Sequence, residues 1–468
     1  MVNFIIAIVY VAITLVVGLL ISRRNKNSKD FFVAQGHLNL PLCCVLLLAS
    51  SFAGAFTTGS ARDSYISGFA PYLPMVAMGM GYALFSLLVR FYRSAAKDGA
   101  ISIPEAFALR FDGRSKSAIL LINSFAYGAT FAVQPVALAA IIAPMLNLNQ
   151  SVVMWVIAAV MVVMALTGLT GVAWMNTCHC IIMVGGMTLI SIVAMVKAGG
   201  IGTISATVPA EMWNLFSPNA ATVIMRFIAL TLCVFAESEA ATIAISAKTV
   251  STAKKALIII GVVIFVFSAF LMMIGISAQV LTPGLENPSN TLYVLSAKLG
   301  SAFSIIASVA VIAAITSSAP AYLIYFSTGI TRQIIAKLAP ESAEKHAKLY
   351  STIIIILVAF IGTFFAQKAT SILNILFNVY EILTVCGTVI IVGFFWKRVS
   401  ARSAFLTISI TAIITVIWLI LGCPFGIIPA WISVILGAIL LVIFTLMEKE
   451  PVSEGYLRMK EVMDKYND

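Results

Sequence analysis

The chain has 468 residues, 61% of them hydrophobic and only 10% charged, with a formal net charge of +11 and a mean hydropathy of +1.06. That composition excludes an ordinary soluble globular domain, and apolar runs of the ~20 residues that cross a bilayer recur almost end to end. The basic excess would suit nucleic acid, but its placement along the chain assigns it to a membrane face and leaves no nucleic-acid partner.

Thirteen spans are predicted, at about 4–22, 39–60, 70–93, 118–145, 151–169, 171–197, 218–246, 254–281, 299–331, 348–366, 370–395, 402–421 and 425–446. The first has no basic residue before it and no small-residue cleavage site, so it reads as a retained span, not a signal peptide. Between the spans the basic residues divide unevenly. Twenty-four of the 29 fall on the side holding 23–29, 90–116, 248–255, 332–348, 397–402 and the tail, while Arg62, Lys197, Lys298 and Lys368 fall on the other and Arg226 lies within a span. The bias predicts an amino terminus outside and a carboxyl terminus in the cytoplasm of a cell (plasma) membrane protein.

The second span changes character along its length. From Ala49 to Ser60 it is nearly all Ala, Ser, Gly and Thr, with Phe52 and Phe56 the only bulky side chains. Small residues let helices approach closely, and Gly and Ser loosen a helix until it can be interrupted. Interrupted backbone at membrane depth survives only where it lines a cavity or holds an ion, so the stretch is a candidate binding site.

The sixth span carries Cys178-His179-Cys180, which lacks the second ligand pair of a metal site and reads as packing, with His179 a hydrogen-bonded core residue. The seventh, Arg226 to Ala247, holds Glu237 and Glu239 at its middle, followed by small residues. Spans two to six and seven to eleven each number five, which inverts the second set relative to the first. Each set opens with an irregular helix, the arrangement that points to a binding site in secondary transporters. The ninth span contains Ala314, Ser317 and Ser318 at i, i+3 and i+4, on one face of a helix. Two hydroxyls beside a carbonyl suit a hard monovalent cation; equally, such hydroxyls bond back to their own helix. Pro320 lacks an N–H and is expected to loosen the ladder at Thr316.

Several segments in order resemble the sodium:solute symporter family, the group that includes sodium-coupled proline, pantothenate and sugar transporters. They are Ser102 to Phe111, Ala247-Lys248 with Ala253-Lys254, Ala314 to Thr331, and Val392 to Arg398, and the resemblance covers nearly the whole chain. It implies an all-α, polytopic membrane protein of about 13 transmembrane helices with a five-plus-five inverted-repeat (LeuT-type) core. The repeats would fall at 39–200 and 201–398, flanked by an amino-terminal helix and loop at 1–38, two added helices at 399–447 and a cytoplasmic tail at 448–468, read as short helix or disorder. It further implies a sodium site built from the carbonyls of Ala49 and Phe52 with Ala314, Ser317 and Ser318. The sequence departs from the family where a carboxylate often stands: Ser51 lies in the second span, and Trp174-Met175-Asn176 replaces a Trp-x-Asp pattern. Thr242-Ile243 replaces a Gln-Arg pair.

Charged residues within spans are costly and face cavities or one another. Glu237 and Glu381 therefore touch substrate, relay a proton, or pair internally, with Arg226 the candidate partner. Glu239 reads as closer to the cytoplasmic exit. Phe52, Phe56, Tyr65, Tyr322 and Tyr380 are candidate aromatic gates. Ser51, Phe56, Glu237, Glu381 and Tyr322 form the expected substrate set. The few amides of the second span argue against a sugar, and the carboxylates suit an amine or a zwitterion. The expected activity is import of a small polar organic solute with sodium as coupling ion and membrane lipid around the chain. The rivals are proton coupling through Glu237 or Glu381 and a sensor that binds without transport. No nucleophile–base pair marks an enzyme.

Overall fold

The computed structural model describes residues 9–466, apart from 11, 19, 21–37, 53, 101, 147, 218, 336–337 and 368–371. Part of the first predicted span, the basic stretch at 23–29, Lys337 and Lys368 lie outside the described residues. The rest is almost entirely helical, and several helices begin where the sequence supplies a cap. Asn39 accepts from the Leu42 N–H at 3.1 Å, with a proline in the first turn, and starts α1 (Leu40–Ser51). After a break comes α2 (Gly54–Ser67), then α3 (Tyr72–Lys97), the short α4 (Ile103–Arg110), α5 (Gly113–Leu146), α6 (Gln150–Ala165), capped by Asn149, and α7 (Gly168–Lys197).

The second set repeats this order. Asn219 caps α8 (Ala220–Ala236), which breaks into α9 (Ser238–Ser246). There follow α10 (Val250–Leu281), α11 (Ser301–Ile330), α12 (Ala347–Ala366) and α13 (Ile372–Phe395). Two more helices, α14 (Ala401–Ile420) and α15 (Pro429–Met447), precede the tail helix α16 (Glu454–Lys465). Nine of the described helices are long and apolar enough to cross a membrane. The α1–α2 pair, bent by 52°, and the α8–α9 pair, bent by 44°, raise the number to as many as eleven. With the shorter apolar α6, these elements fall on predicted spans two to thirteen.

One boundary and one expected irregularity differ from the sequence reading. The second span does not end near residue 60, because α2 continues to Ser67. Its polar residues satisfy themselves on their own helix: Thr58 Oγ1 donates to the Gly54 carbonyl at 2.7 Å and Ser67 Oγ to that of Asp63 at 2.8 Å. Pro320 sits inside α11, which runs on unbroken past it, so the loosening expected there does not end the helix.

Small residues set the packing. The helices α3 and α10 cross at Gly79 and Gly261, where a Cβ on Gly79 would stand 2.9 Å from the Gly261 carbonyl oxygen. At one end of the bundle the loops are tied by basic residues. Leu38 N–H donates to the Ser246 carbonyl and Lys248 N–H to that of Leu38, at 3.0 and 2.9 Å. Arg93 spans to the carbonyls of Ala247 and Lys248. Arg110 donates to the Gly393 carbonyl at 2.8 Å, to that of Trp396 at 3.4 Å and to Ser453 Oγ at 3.2 Å, which fastens α16 beneath α4. Burial presses its guanidinium down to about 10, so it stays charged at neutral pH among these oxygens.

Candidate functional site

The two bent pairs bring their breaks into one connected cluster. In the first pair, α1 ends at Ser51, and Phe52 leaves helical geometry at φ −108° and ψ 51°. Phe52 is buried and packs edge-on against Phe267 of α10, with ring centroids 4.7 Å apart. Helix α11 lies against this break, and Gly54 is what admits it: a Cβ there would stand 1.7 Å from Ile315 Cγ1. The contact brings Ser317 Oγ to 3.1 Å from the Ala49 carbonyl and 2.9 Å from that of Ala314. Ser318 Oγ reaches the Ala314 carbonyl at 3.4 Å. The two sequence-level readings of these hydroxyls thus coexist, since Ser317 bonds both within its helix and across to α1.

Neutral oxygens gathered at a helix break are the donor set a hard monovalent cation takes. Ala49, Ala314, Ser317 and Ser318 are all buried, none more than 1% exposed. A cation among these oxygens would take the place of the hydrogen bonds that now link them, with the hydroxyl protons turned away.

The second break lies at Glu237, between α8 and α9. Tyr82 of α3 donates to Glu237 Oε2 at 3.2 Å, and the Cys233 thiol donates to Oε1 at 3.6 Å. Tyr127 of α5 donates to Glu239 Oε2 at 2.8 Å and accepts from the Ser238 N–H. Tyrosines also join this break to the first. Tyr322 donates to the Ser50 carbonyl at 3.1 Å and stacks on Tyr127, with centroids 5.9 Å apart. The Tyr82 hydroxyl is also within reach of Ser51, whose own Oγ bonds back to the Leu47 carbonyl at 2.7 Å. Sequence reasoning missed Tyr82 and Tyr127. The available signal was a tyrosine mid-span beside glycine, as in Gly79-Met-Gly-Tyr82 and Tyr127-Gly128, since a buried phenol needs a partner.

The remaining expected site residues separate. Phe56 meets Phe377 and Tyr380 of α13, with centroids 6.0 and 6.3 Å apart, and so lines the cluster. Tyr65 does not, because its hydroxyl bonds the Thr282 carbonyl and the Leu285 N–H at the opposite end from the basic loops. Glu381 has both oxygens engaged: Arg226 Nε stands 2.9 Å from Oε1, and the Ala430 N–H donates to Oε2 at 3.1 Å. Of the roles open to Glu381 in the sequence, the internal ion pair with Arg226 is the one present among the described contacts. His179 is fully buried and bonds the Tyr10 hydroxyl, and the Cys180 thiol reaches the Val45 carbonyl. Asn176 is 1% exposed, and its amide forms no hydrogen bond with the described residues.

Known proteins share this fold. A family model described as "Sodium:solute symporter family" matches residues 31–411. A protein of Bacillus subtilis (strain 168), described as the uncharacterised symporter YwcA, is 22% identical over 451 residues, spanning 91% of this chain and 86% of that one. Among solved structures, a substrate-bound, outward-open Na+-coupled sialic acid symporter superposes with a TM-score of 0.80 at 20% identity, covering 96% of this chain and 98% of that one. Mhp1, a nucleobase-cation-symport-1 family transporter in a closed conformation, gives 0.62 at 15% identity, covering 94% and 99%. At these identities the likeness is one of fold, and the fold is the LeuT-type core expected from the sequence.

Proposed function

The chain belongs to the sodium:solute symporter family, and from that premise we propose that it imports a small polar organic solute by alternating access, with sodium as the coupling ion. The cation occupies the oxygens of Ala49, Phe52, Ala314, Ser317 and Ser318. The observation that carries this reading is the approach of Ser317 Oγ to the carbonyls of both α1 and α11 at 3.1 and 2.9 Å. The solute lies beside it, between the two breaks, against Ser51, Phe56, Glu237 and Tyr322.

Sodium bridges a bent helix and its neighbour, so its binding favours the conformation in which the two are closest. The two five-helix sets then rock around the site. With the basic end cytoplasmic, entry of each sodium releases about 2.3 kcal/mol per 100 mV of inside-negative potential. The network from Arg93, Arg110 and Arg398 at that end supports the orientation, with the amino terminus outside.

The test needs no knowledge of the solute. Thermal unfolding of the purified protein in detergent is followed while NaCl replaces KCl at constant ionic strength. Binding to the folded state raises the midpoint as sodium exceeds its dissociation constant. The reading requires a sodium-selective rise that Ser317→Ala and Ser318→Ala both diminish; equal curves in the two salts overturn it. Proton coupling is the second reading, favoured by one observation: Glu237 has hydrogen-bond donors but no basic partner among the described residues. Solute uptake driven by a pH gradient without sodium would establish it.

A further inference from the structure

The break between α8 and α9 carries a charge imbalance that a sodium site on α1 and α11 does not use. Glu237 and Glu239 are 3% and 5% exposed. Glu237 takes the N-cap position of α9 and Glu239 lies in its first turn. A helix start offsets about half a negative charge, and the donors from Tyr82, Cys233 and Tyr127 add no positive charge. No lysine or arginine among the described residues bonds either carboxylate. In related architecture the positive end of a half-helix receives an anionic solute group, but here the chain's own carboxylates hold that place. A solute carboxylate would meet two acidic side chains and no basic one among the described residues.

A separate feature reaches this break through Ser238 and through Tyr127, the partner of Glu239. A cavity of about 30 Å³ lies on the basic side of the break, lined among others by Asn123, Tyr127, Ser238, Thr242 and Tyr325. That volume admits one water-sized group. Asn123 is 4% exposed and neither atom of its amide is hydrogen-bonded to the described residues. A buried amide left so is costly, and it borders the tyrosine that bonds Glu239.

The geometry points to an ammonium-binding subsite formed by Glu239, Glu237, Tyr127 and Asn123, so that the transported solute bears a protonated amine. An ammonium group is water-sized and brings three N–H donors and no acceptor. The Glu239 carboxylate and the Asn123 carbonyl are acceptors for two of them, and the stacked rings of Tyr127 and Tyr322 offer the aromatic faces that attract a cation. The inference rests on the proposal that solute binds between the two breaks, and it narrows that solute to amines and zwitterions.

The test is thermal unfolding of the full chain in detergent with butylamine, putrescine and 4-aminobutyrate as probes and butyrate and glucose as comparators. At least one amine is expected to raise the midpoint where butyrate and glucose do not. Its apparent affinity is expected to fall roughly tenfold or more in Glu239→Gln, as befits loss of a charged hydrogen-bond partner, and to return in part in Glu239→Asp. Asn123→Ala, which leaves both carboxylates in place, is expected to weaken the same probe and serves if Glu239→Gln fails to fold. Stabilisation by butyrate or glucose alone, the absence of any amine effect, or amine affinity unchanged in Glu239→Gln overturns the assignment. The last outcome would mean that the carboxylates hold protons. Each probe is run in NaCl and in KCl. Amine binding that depends on Glu239 but not on sodium retains the ammonium subsite and discards sodium coupling, and a sodium effect without amine binding does the reverse.

Discussion

Ser317 stands 268 residues from Ala49 in the chain, yet its hydroxyl oxygen lies 3.1 Å from the Ala49 carbonyl. The contact joins the broken end of α1 to the middle of α11. If sodium is held there, each serine oxygen is a ligand to a charge, and loss of such a partner costs about 1.5–3 kcal/mol, or about ten- to a hundredfold in affinity. Ser317→Ala is expected to shift the sodium midpoint in a thermal titration by that factor. Ser318→Ala, whose oxygen is 3.4 Å from the Ala314 carbonyl, should shift it at the lower end of the range. Both variants should keep the wild-type midpoint in KCl to within about 1 kcal/mol of stability, because a small hydroxyl at a helix–helix contact is a minor packing loss.

Much of this was legible before the fold. Apolar run length located the spans, small residues marked the second and seventh spans as irregular, and Ala314, Ser317 and Ser318 at i, i+3 and i+4 marked one face of the ninth. Local periodicity reports what one helix can do, and so it left open whether Ser317 bonds inward or across. The crossing became visible only in three dimensions, where Gly54 admits Ile315. Partner choice was hidden for the same reason. Glu237, Glu239 and Glu381 look alike in sequence, all in-span carboxylates. Their surroundings come from helices more than a hundred residues distant, which give tyrosines to the first two and Arg226 to the third.

Arg226 and Glu381 form the described ion pair that joins two spans, with the carboxylate side chain fully buried and the guanidinium 22% exposed. Removing one partner strands the other, at about 3–5 kcal/mol for a buried pair. Glu381→Gln is expected to lower the unfolding midpoint markedly while leaving the sodium dependence of that midpoint intact. The double change Arg226→Met with Glu381→Leu should regain most of the loss, since an apolar pair of similar volume has no charge to solvate. A double variant no more stable than Glu381→Gln would refute the ion-pair role.

Gly54 is where α2 begins beneath α11, and a methyl group added there overlaps Ile315. Gly54→Ala is expected to cost about 1–3 kcal/mol as an overpacked contact and to weaken sodium binding, because α11 must move away from the α1 break. Ile315→Val removes a methyl from the opposing side chain. In combination with Gly54→Ala it should restore part of both stability and sodium affinity, with a coupling energy of about 0.5–3 kcal/mol between the two positions. Strict additivity in the two-by-two set would show that the residues do not share this contact.

Arg110 is the fastening point of the tail. Its guanidinium reaches the carbonyls of Gly393 and Trp396 and the hydroxyl of Ser453, while Gly455 packs so closely on the Arg110 carbonyl that a Cβ would stand 1.9 Å from it. Arg458 returns a bond to the Phe111 carbonyl at 2.6 Å, and Lys465 meets Asp98 at 3.1 Å near the far end of α16. A lysine at position 110 keeps the charge but cannot fork to three oxygens on different segments. Arg110→Lys is therefore expected to release α16 without unfolding the bundle. Limited trypsin digestion reads this directly, because Arg458 and Lys460 lie on the helix and become substrates only when it opens. Loss of about 1.4 kcal/mol of docking energy makes cleavage roughly tenfold faster. Asp98→Asn removes the exposed contact with Lys465 and, at the median worth of a surface pair, should change the rate by less than about fivefold. If the two variants are cut at the same rate, Arg110 does not hold the tail.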